Sequence, residues 1–139
     1  MLRGLTTIAY QADDLAAARQ WYSEFLGIEP YFNRPEYIEF RLGDYEHELG
    51  ILDGSLREVV GLAPKASAAP TGAIAYWHVD DIDATLQRLV EMGATQVQAP
   101  RDFGEGFVGA TVRDPFGNVL GLMYNPHYLA VLNGDEDRR

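Results

Sequence analysis

Two residues in apolar, strand-like runs carry chemistry: Glu48 within Glu46–Leu52, and His78 within Ala73–Val79. A carboxylate and an imidazole could serve as acid and base, or as two ligands of a divalent metal. His47 adjoins Glu48, but strand side chains alternate, so the pair points to opposite faces. His127 follows Pro126, beyond the last strand-like run. There is no cysteine, which excludes a thiol nucleophile, a Cys-ligated zinc or iron–sulfur site and a disulfide framework. Gly-x-Ser-x-Gly, His-Glu-x-x-His and dinucleotide-binding signatures are all missing. Gly104, Gly106 and Gly109 lack the Lys-Ser/Thr ending and the following helix of a phosphate loop.

The elements that must position these residues come in a repeated order. Leu5–Ala12 reads as a strand, and Asp13-Asp14 then offers a helix N-cap. Leu15, Ala18, Tyr22, Phe25 and Leu26 recur at helical spacing, and Gly27 stands where the helix must end. Strand-like runs follow at Ile28–Phe32, Tyr37–Leu42 and Glu46–Leu52, separated by turn residues. The same order then recurs: strand Ala73–Val79, cap Asp80-Asp81, and a helix with Ile82, Leu86, Leu89 and Val90 on its apolar face and Gly93 at its end. Runs at Thr95–Ala99, Phe107–Val112 and Val119–Tyr124 complete it. Asp13-Asp14-Leu15 superposes on Asp80-Asp81-Ile82 at an offset of 67, and Leu49–Leu52 on Leu120–Met123 at 71. This is an internal duplication, and the drift implies connections of different length.

The 139 residues predict one α+β domain of two βαβββ modules: module one 4–54, a linker 55–71, module two 72–128 and a flexible tail 129–139. With 11 basic and 21 acidic residues the net charge is −10, and no basic patch exists to neutralise phosphates. Nucleic acid and anionic membrane surfaces are therefore not expected partners. No apolar run spans a bilayer, and the first residues lack the pattern of a secretory signal, so a cytoplasmic location is expected.

The tandem strand–helix–three-strand modules, the helix ending Trp21-Tyr22-Ser-Glu-Phe-Leu-Gly27 and the segment Asp114-Pro-Phe-Gly-Asn-Val-Leu-Gly-Leu together resemble the vicinal oxygen chelate superfamily. That group includes glyoxalase I, extradiol dioxygenases, methylmalonyl-CoA epimerase, fosfomycin-resistance enzymes and bleomycin-binding resistance proteins. The resemblance runs from Leu5 to about Tyr128 and implies curled mixed sheets lining a cleft, and a homodimer. Metal-using members place His or Gln on the first strand of each module and Glu on the last. The matching stations here are Thr7, Ile74, Gly121 and Gly50, with Glu48 two residues from the last. Ile74 and the two glycines have no side-chain donor, so no metal and no cofactor are expected.

If these stations face the cleft, strand alternation brings Gln11, Tyr76, His78 and Met123 to it as well. Phe107, with Phe103 and the nearby glycines, forms a mobile-looking segment able to cover it. The expected ligand-binding set is thus Thr7, Gln11, Glu48, Gly50, Ile74, Tyr76, His78, Phe107, Gly121 and Met123. An ionised Glu48 on an apolar face is costly unless it meets His78, another donor or a cationic ligand. The resemblance, with stations that lack donors, points to a metal-independent protein that binds or sequesters a small organic molecule, antibiotic-like or other. The alternatives are a lyase, isomerase or dioxygenase-like enzyme using Glu48 and His78, with or without a metal, and an accessory domain whose pocket its own side chains fill.

Overall fold

The computed structural model describes residues 1, 3, 5–57, 59–60 and 74–135. The chain forms two compact units, Met1–Pro70 with Phe116–Asn118, and Thr71–Pro115 with Val119–Arg139. Most of the expected linker, and the last four residues of the expected tail, lie outside the described residues.

The first unit runs β1 (Thr7–Ala12), α1 (Leu15–Leu26), β2 (Phe32–Arg34), β3 (Tyr37–Leu42) and β4 (His47–Asp53), ending in a 3-10 turn at Gly54–Leu56. Asp14 caps α1 by accepting the Ala17 N–H at 2.9 Å, a contact whose loss costs about 1 kcal/mol. Gly27 ends the helix at a left-handed φ of 69°. The sheet order is β1-β4-β3-β2, with β1 parallel to β4 and the other pairs antiparallel. Alternation puts Tyr10, Ala12, Ile38, Phe40, Leu49 and Ile51 in the core with Leu15, Ala18 and Tyr22 of α1. Phe40, Ile51 and Tyr22 are fully buried; an apolar side chain of that size contributes about 1.5–3 kcal/mol.

The second unit repeats the plan with β5 (Ala75–His78), α2 (Ile82–Glu91), β6 (Thr95–Gly104), β7 (Phe107–Arg113) and β8 (Val119–Tyr124), then adds α3 (Pro126–Asn133). Its order is β5-β8-β7-β6, and Asp81 caps α2 through the Ala84 N–H at 2.9 Å. The duplication holds at the level of register. Ala9 pairs with Gly50 as Tyr76 pairs with Gly121, which are the same positions moved by 67 and 71. The drift is absorbed between helix and third strand, where β2 has 3 residues and β6 has 10.

The structure corrects several boundaries. The strand expected at 28–32 forms only at Phe32–Arg34, because Pro30 has no N–H to give a ladder. The strand expected to stop at Ala99 continues through Pro100 to Gly104. It lies at the sheet edge, where a proline and bulges are tolerated. The mobile segment expected around Phe103–Gly109 is a β6–β7 hairpin, turned by Gly104, Glu105 and Gly106 at φ of 95°, 55° and 85°. Residues 129–133, expected in the tail, continue α3; Asn125 caps it through the Tyr128 N–H at 2.9 Å and Pro126 occupies its first position.

Candidate functional site

In the first unit, the sheet face away from α1 carries every polar side chain that alternation excludes from the core. Thr7, Ala9 and Gln11 of β1 lie beside Glu48, Gly50 and Leu52 of β4, and these beside Arg41, Glu39 and Tyr37 of β3. The Thr7 hydroxyl donates to Glu48 Oε2 at 2.7 Å. Among the described residues no hydrogen bond reaches the other oxygen of Glu48. Glu39 accepts from two phenols, Tyr31 on one carboxylate oxygen and Tyr37 on the other. Burial, and then the Glu48 charge, hold the Glu39 carboxyl above the ordinary carboxylate range, with Arg41 opposing. Burial and Glu48 likewise push the Tyr37 phenol up.

Gly50 is buried beneath Tyr37. A Cβ there would stand 2.6 Å from Tyr37 Cε2 and 2.7 Å from Cζ, so a larger residue must displace the ring. Arg41 pairs in register with Glu48, yet its guanidinium lies 4.2 Å from the centre of the Tyr31 ring. Tyr31, Tyr37, Glu39 and Arg41 were absent from the expected set, which, Phe107 apart, followed first and last strands only. The alternation Tyr37-Ile-Glu-Phe-Arg41, with Ile38 and Phe40 inward, was the signal that could have found them.

The backbone of Gln11 is held at the strand edge. Its N–H donates to Asn118 Oδ1 at 2.9 Å, and its carbonyl accepts from Asn118 Nδ2 at 2.8 Å. The Phe116 ring sits 6.2 Å from Trp21 and 6.5 Å from Tyr22. Phe116–Asn118, the middle of the Asp114–Leu122 segment, thus pack as part of the first unit.

In the second unit, Tyr76, His78, Thr111, Gly121 and Met123 lie on the sheet face away from the core strand positions Ala110, Val112, Leu120 and Leu122. By alternation Phe107 and Gly109 share that face, and the Phe103 ring lies over Gly109, 2.9 Å from where a Cβ would stand. Tyr76 covers Gly121 as Tyr37 covers Gly50: a Cβ at Gly121 would be 2.5 Å from Tyr76 Cδ1 and 2.9 Å from the Ala75 carbonyl oxygen. Ile74, directly before β5, is exposed.

His78 is engaged on both ring nitrogens. Nδ1 accepts the Asn125 N–H at 3.1 Å, Nε2 lies 3.1 Å from Asp80 Oδ1, and the ring stacks on Tyr128 at 4.8 Å. A general base needs an open lone pair, and the one on this imidazole is spent on the start of α3. The geometry therefore makes His78 an anchor of that helix.

Taken within each unit separately, the stations do not fit a divalent cation. Thr7 is a donor to Glu48, Ile74 has no ligand atom, and tyrosine rings fill the space that carboxylates would need at positions 50 and 121. Among the described residues no three His, Asp or Glu side chains gather closely enough to hold a metal, and no helix is long and apolar enough to cross a membrane.

The comparisons agree with this architecture. The sequence pattern of the Glyoxalase/Bleomycin resistance protein/Dioxygenase superfamily matches residues 4–122. The protein CFP32 of Mycobacterium bovis, which carries a provisional glyoxylase name, is 28% identical over 127 residues, covering 88% of this chain and 46% of its own. The chain thus spans about half the length of the curated relatives it matches. A glyoxalase-related enzyme from Fulvimarina pelagi superposes with a TM-score of 0.71 at 25% identity, over 90% of each chain. A lactoylglutathione lyase from Agrobacterium tumefaciens shares the fold with a TM-score of 0.64 at 19% identity, over 88% of this chain and 94% of its own. With its duplicated βαβββ units and this match, the chain belongs to the glyoxalase/bleomycin resistance/dioxygenase superfamily.

Proposed function

We propose that this superfamily member binds a small organic molecule without a metal, and that the helix-free face of the first sheet is its recognition surface. One observation carries the reading: where chelating side chains would stand on this face, Thr7 gives its hydroxyl to Glu48 and Gly50 is roofed by Tyr37. Among the described residues no third His, Asp or Glu side chain joins Glu39 and Glu48 there to hold a metal ion, and the face combines flat apolar area with a few oriented polar groups, the usual make-up of small-molecule sites. Sequestration needs no catalytic base, and with both nitrogens of His78 engaged this fits better than acid–base chemistry by a Glu48–His78 pair.

A thermal-shift screen in excess chelator tests the proposal. A compound at about 100 times its dissociation constant adds about 2.7 kcal/mol, easily read as a higher Tm. The expected hit stabilises equally with and without chelator and loses its effect in Glu48→Gln. Hits that act only when a divalent metal is restored would overturn the reading.

A further inference from the structure

The face of the first sheet also indicates the charge and shape of what it takes. Glu48 uses one oxygen on Thr7, and its other oxygen meets no hydrogen bond among the described residues. The basic residue in register with it, Arg41, makes no ion pair among the described residues: its guanidinium rests on the Tyr31 ring at 4.2 Å, where its charge acts on Glu39. Beside Glu48, the carboxylate of Glu39 is oriented by two tyrosine hydroxyls, and the ring of Tyr37 is laid over Gly50. A flat aromatic shelf thus lies beside two like charges, one of them with an open oxygen. The same face already holds one planar cation of the protein's own, stacked on a phenol ring.

We propose that this face binds a planar organic cation of the guanidinium or amidinium class, its N–H groups on the open oxygen of Glu48 and its plane on the ring of Tyr37. This rests on the metal-independent reading above and adds the ligand class to it. A planar fork of N–H donors suits a carboxylate and stacks on an aromatic face, whereas an ammonium is a compact, strongly hydrated charge that gains less from the ring. An anionic ligand would instead add a third negative charge to Glu39 and Glu48.

Four probes decide it, titrated into the full chain in chelator and followed by amide chemical shifts: benzamidine, its neutral isostere benzamide, benzylamine and benzoate. Benzamidine is expected to bind at least about tenfold more tightly than benzamide, the difference of one charge-assisted hydrogen bond, with shifts centred on Glu48, Tyr37 and Glu39. Benzylamine is expected to fall between them, and benzoate to leave the spectrum unmoved. Glu48→Gln, checked for an unchanged fold by circular dichroism, is expected to bring benzamidine down to the level of benzamide. Equal binding of benzamidine and benzamide, preference for benzoate, or no benzamidine shift at these residues would overturn the ligand class. None of those results touches metal independence, which fails separately if binding in the thermal-shift screen requires a divalent ion.

Discussion

Removing the side chain of Asn118 should loosen the first unit from one point. In Asn118→Ala, the Gln11 N–H and carbonyl lose partners at 2.9 and 2.8 Å, at a part-buried strand edge. Each such bond is worth about 1 kcal/mol net, so the pair predicts a loss of about 2 kcal/mol. For a chain of this size that is roughly a 6–10 °C fall in Tm. Asn118→Asp keeps the acceptor for the Gln11 N–H but sets a carboxylate oxygen against the Gln11 carbonyl, so it should cost at least as much. Urea denaturation gives the energy, and hydrogen exchange gives the location. The Gln11 amide should exchange much faster in Asn118→Ala but stay protected in Asn118→Asp. A destabilisation below about 0.5 kcal/mol, or an unchanged Gln11 exchange rate in the alanine variant, would refute the assignment of Asn118 as a plug on the β1 edge.

Three further outcomes follow from the geometry. Gly121→Ala should cost about 1–3 kcal/mol, and Gly50→Ala less, because the new methyl at 121 meets the Ala75 carbonyl as well as a ring while the one at 50 meets only the movable Tyr37; chemical denaturation ranks them. Glu39 has a raised pKa, so its protonated form contributes stability that is present below its ordinary 4.5 and is lost as pH rises through the raised value. The stability of Glu39→Gln relative to the parent chain should therefore climb between pH 4.5 and neutrality, as urea midpoints at several pH values would show. Glu46 sits at a φ of 52° in the β3–β4 turn, so Glu46→Gly should raise stability by roughly 0.5–1 kcal/mol in a thermal melt.

The duplication was legible because each module writes the same physical instructions twice. An aspartate caps the helix, a glycine ends it, and alternating apolar residues define the face each strand buries, so β3, β8, α1 and α2 were readable almost to the residue. The edge strands β2 and β6 were not, because half of their hydrogen-bonding positions lack a partner and the local pattern is weak where prolines intervene. Of the site, the shared face of Thr7 and Glu48 was readable from alternation, but their pairing depends on the β1–β4 register that the fold supplies. The tyrosines over Gly50 and Gly121 could not be read, because a ring lying across a neighbouring strand depends on rotamers that a pattern of residue types does not encode. That His78 holds the start of α3 was not readable for a different reason: a histidine bonded to backbone can be expected from the sequence, but its partner Asn125 lies 47 residues on, at a helix start that only the Asn-Pro pair signals.

The most direct test of metal-independent recognition is native mass spectrometry of protein purified without chelator and then offered zinc, nickel, manganese and ferrous iron one at a time. The bare chain mass is expected throughout, or adducts that survive unchanged in Glu48→Gln. A single ion held at one per chain and lost on that substitution would contradict it.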